Sequence, residues 1–274
     1  MNISRITMAA LTACLLGTTT GAMAVENGPT PSLADLAKDG PYAVTAQAIA
    51  GNGFGSGTIY VPNTAGKYAL VAVCPGFVSP ESSMTAVSKR LATHGFVVVT
   101  IATKTLLDFP SSRASQILAA LKATVATNTG AVVGKIDTSR QVASGWSMGG
   151  GGTLEAAAST PGLVAAVAYA PWNTSSAKYT KITVPSLILG ATGDVIAPVS
   201  GHSQKFYDAI PASTPKLLAV LQGSSHFFPN SAKEPFSGTN ISWVKRFADD
   251  DTRYGQFLNT KDAAYSAFTS TGPF

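Results

Sequence analysis

The chain has 274 residues, of which 45% are hydrophobic and only 12% are charged, which excludes an intrinsically disordered protein and predicts a sizeable core. Its formal net charge is +5 at pH 7, and the lysines and arginines are scattered rather than clustered. A nucleic-acid-binding protein is therefore not expected.

Residues 1–24 have the features of a secretory signal peptide. Arg5 precedes a mostly apolar stretch from Ile6 to Leu16, and Ala22-Met23-Ala24 matches an A-x-A cleavage site. The apolar stretch is too short to span a bilayer, and no other segment qualifies as transmembrane. We therefore expect a secreted protein, either extracellular or periplasmic.

The two cysteines are expected to have different fates. Leu11-Thr12-Ala13-Cys14 resembles a lipoprotein cleavage box, so anchoring through Cys14 is the alternative to secretion. Removal of the signal peptide leaves only Cys74, and a single cysteine forms no internal disulfide. Cys74 ends an apolar run, which is typical of a buried and unreactive thiol.

Residues 25–274 are predicted to form one domain, because the chain contains no repeat and no domain-scale linker. A polar, turn-rich arm is expected to extend from Val25 to Asp39. Alternating hydrophobicity predicts an antiparallel edge strand over Tyr42–Ile49, and a second strand is predicted at Gly57–Val61.

From residue 67 onward, buried strands alternate with helices. The continuous apolar segments that predict parallel strands are Lys67–Val73, Phe96–Ile101, Gln141–Ser144, Val164–Ala168, Val184–Leu189 and Lys216–Leu221. Helices are predicted at Ser82–Thr93, Ser111–Val125 (with Ser111 or Ser112 as N-cap), Thr153–Ala158, Gln204–Ala209 and Ile241–Phe247. This order predicts an α/β fold with a mostly parallel central sheet, antiparallel N-terminal strands and helices on both faces.

Gly145-Trp146-Ser147-Met148-Gly149 has the G-x-S-x-G pattern of a nucleophile elbow. A strand before the motif and a helix after it would place Ser147 at a sharp turn, where the two glycines let strand and helix approach. The serine would then lie at a helix N-terminus, where free amides favour the negative charge formed in acyl transfer. The same glycine-rich segment is also compatible with a plain loop.

The general base is expected to be a histidine, because a free imidazole titrates near neutral pH. Of the three histidines, His226 directly follows a predicted strand, at the sheet edge where ligands bind in such folds. His94 is expected to end a helix, and His202, the second candidate, to begin one. Asp194 also follows a predicted strand and fits the chain order serine, aspartate, histidine.

Two backbone amides are expected to bind the oxyanion. The Met148 amide follows the nucleophile, and the Phe77 amide lies in the loop Pro75-Gly76-Phe77 after an early strand. The apolar residues expected at the substrate cleft are Phe77, Trp146, Trp172, Ile196 and Phe227, although aromatic residues at strand ends also occur as plain core. Neither a metal nor a cofactor is expected, because no ligand cluster and no phosphate-binding loop is present.

Several segments resemble the bacterial cutinase-like polyester hydrolases, which include enzymes that degrade poly(ethylene terephthalate). These segments are Pro75-Gly76-Phe77, His94 to Val98, Leu107-Asp108, Pro110 to Arg113, Gly145 to Gly152, Ala170-Pro171-Trp172, Asp194 to Val199 and Ser225-His226-Phe227. The resemblance covers roughly residues 40–255. It implies the α/β-hydrolase fold, a triad of Ser147, Asp194 and His226, and an oxyanion hole at Phe77 and Met148. It also implies that Trp172 and Ile196 flank the acyl part of the substrate.

The sequence departs from the family pattern at several positions. Many relatives have a C-terminal disulfide, whereas this tail has no cysteine. Ala191 and Phe228 stand where the most polyester-active subgroup has a second disulfide. Trp146 resembles that subgroup, whereas His202 and Phe227 resemble the cutinases.

The expected function is hydrolysis of the carboxylic esters of cutin and of aromatic or aliphatic polyesters by a secreted, monomeric serine enzyme. Its substrate is then a polymeric or small ester, with no nucleic acid and no membrane span involved. A lipase or small-ester carboxylesterase without polymer activity is the alternative. A non-catalytic binding protein on the same fold is a third interpretation.

Overall fold

The computed structural model describes residue 26 and residues 30–274. The predicted signal peptide, its cleavage site and the Cys14 box lie outside the described residues. The predicted arm is described at residue 26 and from residue 30 onward, and it contains a short helix, α1 (Leu33–Leu36), capped by the Ser32 side chain. The arm is thus not extended throughout, because Ser32 accepts a hydrogen bond from the Asp35 amide and starts a helical turn.

In the described part of the chain, nine strands form a single sheet in the order β1-β2-β4-β3-β5-β6-β7-β8-β9. Their bounds are β1 Val44–Ala50, β2 Ser56–Pro62, β3 Tyr68–Cys74, β4 Val97–Ala102, β5 Ile136–Trp146, β6 Ala165–Tyr169, β7 Ser186–Ala191, β8 Lys216–Leu221 and β9 Tyr265–Ser270. All pairs from β4 through β8 are parallel, whereas β1, β2 and β9 pair antiparallel with their neighbours. The carboxyl ends of six parallel strands therefore meet at one edge.

Seven α-helices occur within the described residues. Besides α1, they are α2 Thr85–Thr93, α3 Pro110–Val125, α4 Met148–Ser159, α5 Ser203–Ala209, α6 Phe236–Ala248 and α7 Gly255–Leu258. Helices α2 and α6 pack with Val71 and Val73 on one face of the sheet, and α3, α4 and α5 pack with Leu70 and Ala72 on the other. Successive residues of β3 thus point to opposite faces, each covered by helices. None of these helices is long and apolar enough to cross a membrane.

Several element boundaries differ from the sequence prediction. Helix α3 begins at Pro110 with Phe109 as its N-cap residue, so neither Ser111 nor Ser112 is the cap. Proline is well suited to this first position because its φ is already helical and it lacks an amide that would need a partner. Helix α4 begins at Met148 rather than near Thr153, so it includes the glycine run. Strand β9 and helix α7 were not predicted.

His94 lies at the C-cap of α2, as expected, and its side chain is buried with Nε2 3.1 Å from the Lys38 carbonyl oxygen. Burial lowers the pKa of His94 to about 4. In the unfolded chain the His94 imidazole becomes protonated below about pH 6.5, whereas in the folded protein it becomes protonated only near pH 4. Stability is therefore lost as pH falls through this window, by at most about 3 kcal/mol from this group.

We expect His94→Gln to reduce this loss, because glutamine can donate to the same carbonyl without taking up a proton. Urea unfolding of both proteins at pH 7.5, 5.5 and 4.5 measures the difference. If the free energy of unfolding depends on pH in the same way in both proteins, the loss of stability in acid does not come from His94.

Candidate active site

Ser147 lies between the end of β5 and the first residue of α4, at the carboxyl edge of the sheet. Its backbone adopts φ 58° and ψ −120°, a conformation that non-glycine residues rarely take. The Ser147 amide donates to the Tyr169 carbonyl at 2.9 Å, and its carbonyl accepts from the Gly151 and Trp172 amides at 2.9 and 2.8 Å. These bonds hold a strained turn that costs about 1–3 kcal/mol in isolation.

The glycines on either side of the elbow are required by close backbone approach. A Cβ at Gly149 would collide with the Pro75 carbonyl oxygen, and one at Gly145 would collide with the Gly149 carbonyl oxygen. A side chain at either position would push α4 away from β3 and β5. The G-x-S-x-G segment is therefore an elbow and not a plain loop.

Ser147, His226 and Asp194 form a continuous line of hydrogen bonds. The distance from His226 Nε2 to Ser147 Oγ is 2.8 Å, and that from His226 Nδ1 to Asp194 Oδ2 is 2.7 Å. The three residues come from the ends of β5, β7 and β8, and each is less than 7% exposed. Of the three histidines, His226 is the one that contacts Ser147, whereas His94 lies at the C-cap of α2.

The Asp194 carboxylate is held by its own loop. Burial alone would raise its pKa, but hydrogen bonds from the His226 ring and from the Ala197 and Ile196 amides outweigh burial and lower the pKa below its ordinary value. The Ala197 and Ile196 amides donate to Oδ1 at 2.7 and 2.9 Å, which leaves Oδ2 facing the imidazole. The carboxylate is therefore ionised at neutral pH and holds a proton on His226 Nδ1.

The predicted oxyanion loop lies against the elbow. A Cβ added at Gly76 would lie 3.1 Å from the Ser147 Cβ, so the Pro75-Gly76-Phe77 loop passes directly over the serine. Met148 begins α4, and its amide is one of the free N–H groups of the first turn. Within the described residues, neither the Phe77 nor the Met148 amide donates to another protein group. Both are thus available to a substrate oxygen.

Trp172 follows β6 and is half-buried beside the elbow. Its ring stacks on His202, with centroids 6.1 Å apart and planes at 26°, and meets Phe109 edge-on at 6.4 Å. His202 begins α5, as expected, and supports Trp172 rather than contacting Ser147.

Eight exposed apolar side chains lie on loops at the same edge of the sheet as the elbow, and we refer to them as the apolar rim. They belong to the loops after β3, β4, β7 and β8 and are Phe77, Val78, Leu106, Leu107, Phe109, Val195, Ile196 and Phe227. Phe77, Ile196 and Phe227 were expected here, and they are 42%, 46% and 54% exposed. Sequence reasoning missed Leu106, Leu107 and Phe109 as cleft residues, although they lie in the loop after the buried strand β4.

Trp146, which was expected at the substrate cleft, is buried against the histidine loop. Its side chain is only 3% exposed, and its indole N–H donates to the His226 carbonyl at 2.9 Å. The ring also contacts the rings of His226 and Phe227, both at 5.6 Å between centroids. The residue therefore supports the histidine loop, and little of its ring is exposed.

Trp146→Phe is expected to lower the free energy of unfolding by about 1–3 kcal/mol, because it leaves the buried His226 carbonyl without a donor. Trp243→Phe is the matched control. Trp243 is fully buried, and its indole nitrogen has no hydrogen-bond partner among the described residues. Urea unfolding should show the larger loss for Trp146→Phe; equal losses would mean that packing alone accounts for the effect.

Cys74 is not part of this hydrogen-bonded line. Cys74 is buried at the end of β3, and burial raises its pKa to about 11, so it is a neutral thiol near pH 7. Among the described residues, no group of three or more His, Cys, Asp or Glu side chains is placed to hold a metal ion.

Comparison with known proteins decides the family. The model of the family described as PET hydrolase-like matches residues 19–272. The chain belongs to the PET hydrolase-like family. Its nine-stranded mixed sheet with helices on both faces is the α/β-hydrolase fold that the sequence predicted.

Curated relatives agree with this assignment. The chain is 44% identical to a bis(hydroxyethyl) terephthalate hydrolase of Streptomyces coelicolor over 93% of this chain and 86% of the relative. It is 44% identical to cutinase est1 of Thermobifida alba over 85% of this chain and 80% of the relative. It is 42% identical to cutinase 1 of Thermobifida cellulosilytica over 91% of this chain and 98% of the relative. As a member of this family, the protein is a carboxylic-ester hydrolase.

Proposed function

We propose that this protein hydrolyses the ester bonds of polyesters, including cutin and terephthalate polyesters, through an acyl-enzyme on Ser147. The observation that carries the proposal is the hydrogen-bonded line from Ser147 through His226 to Asp194 beneath an exposed apolar rim. Relatives named as cutinases and as a terephthalate-ester hydrolase support the substrate class.

In the first half of the reaction, Ser147 Oγ attacks the ester carbonyl carbon while His226 Nε2 takes the hydroxyl proton. The carbonyl oxygen becomes an oxyanion and accepts hydrogen bonds from the Phe77 and Met148 amides. The acyl–oxygen bond then breaks, and His226 returns the proton to the departing alcohol. Asp194 keeps the ring in the required tautomer and stabilises the imidazolium.

In the second half, water replaces the alcohol. His226 Nε2 takes a proton from the water as its oxygen attacks the acyl carbon, and the same two amides bind the new oxyanion. The bond to Ser147 Oγ breaks, His226 gives the proton back to the serine, and the carboxylic acid leaves.

The apolar rim supports a polymeric substrate. Its eight side chains lie on the surface rather than inside a closed tunnel, so a long chain can lie across the elbow without having its ends threaded. The half-buried Trp172, beside Ser147, offers a flat ring to the acyl group.

We also propose that the mature protein is secreted and consists of one catalytic domain, residues 25–274, that works as a monomer. The supporting observations are the signal-like residues 1–24 and the continuous sheet that spans Val44 to Ser270. N-terminal sequencing and light scattering of the exported protein test this. A chain that begins at a lipidated Cys14, or a stable dimer, would contradict it.

A substrate panel tests the proposed activity. We expect release of product from p-nitrophenyl butyrate, from bis(hydroxyethyl) terephthalate and from a polyester film, and none from any of them with Ser147→Ala. Activity confined to the soluble esters would restrict the enzyme to small substrates, and preference for emulsified triglyceride would make it a lipase. A folded protein inactive on all of them would favour a binding role.

A further inference from the structure

Arg113, in the first turns of α3, is a charged side chain that the mechanism above does not use. It is fully buried, and its guanidinium donates three hydrogen bonds to main-chain carbonyl oxygens. Nε bonds to Asp108 at 2.6 Å, Nη1 to Pro75 at 3.0 Å and Nη2 to Leu106 at 3.0 Å.

These three carbonyls belong to two loops of the candidate active site. Pro75 follows β3 and precedes the oxyanion residue Phe77 by two positions, whereas Leu106 and Asp108 follow β4. The Leu106 carbonyl also accepts from the amide of Val78, the residue after Phe77, at 2.9 Å. Arg113 therefore connects the loop that carries the Phe77 amide to its neighbour.

Arg113 also lies against the helix that carries the other oxyanion donor. A Cβ at Gly152 of α4 would lie 2.9 Å from the Arg113 Cβ, and Gly149 of α4 packs against the Pro75 carbonyl. The Phe77 loop and the start of α4 are thus fixed relative to each other around one side chain. The distance between the Phe77 and Met148 amides depends on this packing.

The chemistry of the site requires arginine in particular. Three carbonyls in different directions match the planar fork of a guanidinium, whereas the point charge of a lysine cannot reach all three. Hydrogen bonds from a charged donor are stronger than those between neutral groups, and a buried carbonyl left without a donor is destabilising. The two loops would rearrange to reach water if Arg113 were lost.

We propose that Arg113 is a positioning residue for the oxyanion hole: by holding the Pro75 carbonyl, it fixes the Phe77 amide at the site where the oxyanion forms. This inference rests on the proposed function. Arg113 touches neither substrate nor reacting atoms. Its loss should therefore weaken stabilisation of the transition state and lower kcat, while substrate binding changes little.

The test measures kcat per active site of Arg113→Met and Arg113→Lys with p-nitrophenyl butyrate, counting active sites by stoichiometric phosphonylation. Loss of a whole oxyanion donor costs about 10²–10³ in turnover, so a misplaced one should lower kcat by about 10–100-fold in Arg113→Met. KM should change little, and Arg113→Lys should recover part of kcat.

A second readout separates positioning from general support of the fold. Sulfur accepts hydrogen bonds weakly, so an intact oxyanion hole favours an oxygen ester over the matching thionoester. Arg113→Met should make this preference smaller, because the misplaced Phe77 amide would donate a weaker hydrogen bond to the oxyanion.

Lys216→Met is the matched control. Lys216 is also buried, and its Nζ donates to the Tyr207 and Ile210 carbonyls at 2.8 and 2.6 Å, but it begins β8 at the opposite edge of the sheet. This variant should lose stability and keep the wild-type kcat per active site and the wild-type thionoester preference.

If Arg113→Met keeps the wild-type kcat per active site and the wild-type preference for the oxygen ester over the thionoester, Arg113 supports only the fold and the proposal is overturned. If Arg113→Met does not fold, the same comparison with Arg113→Lys decides. A wild-type protein that neither turns over esters nor is phosphonylated at Ser147 would instead refute the proposed function, so the two failures are distinguishable.

Discussion

Ser147→Ala is expected to lower kcat for ester hydrolysis by about 10⁶-fold, the loss seen when a serine nucleophile is removed from such a triad. Ser147 Oγ is the one hydroxyl within hydrogen-bond distance of His226 Nε2 among the described residues. Because alanine has no nucleophile, only water activated by His226 remains. Initial rates with p-nitrophenyl butyrate, together with circular dichroism to verify the fold, measure the effect.

Ser144→Ala is the control for this substitution. Ser144 is buried on β5, three residues before the nucleophile, and its hydroxyl faces the Tyr169 hydroxyl rather than the triad. Its loss should leave turnover within a few-fold of wild type. Residual turnover in Ser147→Ala above about 1% of wild type would mean that a residue other than Ser147 is the nucleophile.

Asp194→Asn is expected to lower kcat by about 10⁴-fold with little change in KM. The Ile196 and Ala197 amides donate to Oδ1 and will select the oxygen of the asparagine, which turns its NH₂ group toward His226. The ring nitrogen Nδ1 must then accept, so the proton moves to Nε2. With Nε2 protonated, His226 cannot take the proton of Ser147.

Asp208→Asn serves as the matched control. Asp208 lies on α5, and its carboxylate accepts from the Gln204 side chain rather than from a histidine. Steady-state kinetics and urea unfolding of both variants should show normal activity for Asp208→Asn and a purely catalytic defect for Asp194→Asn. An Asp194→Asn enzyme within tenfold of wild type would show that the carboxylate does not set the tautomer.

The parallel strands were predictable because a strand buried on both faces needs a continuous apolar run, as in Lys67–Val73. Strand β9 was missed because it lies at the sheet edge, carries serine and threonine, and is defined by its pairing with β8. Helix α7 has only four residues, too few for a periodic pattern to appear. Such elements depend on tertiary contacts rather than on local sequence.

The candidate triad was predictable for a different reason. In a parallel sheet, side chains that follow different strands meet at one edge, so Ser147, Asp194 and His226 were expected together before any distance was known. Their catalytic roles remain predictions. The burial of Trp146 and the contacts of Arg113 were not predictable, because both depend on which loop carbonyls lie opposite a side chain.

Trapping of the acyl-enzyme tests the central claim most directly. The protein is mixed with excess p-nitrophenyl butyrate, quenched in acid within the first turnover, digested and examined by peptide mass spectrometry. A butyryl group on Ser147 in wild type, and on no residue in Ser147→Ala, is the predicted result. Continued hydrolysis with no acyl group on Ser147, or with the group on another residue, would contradict the account.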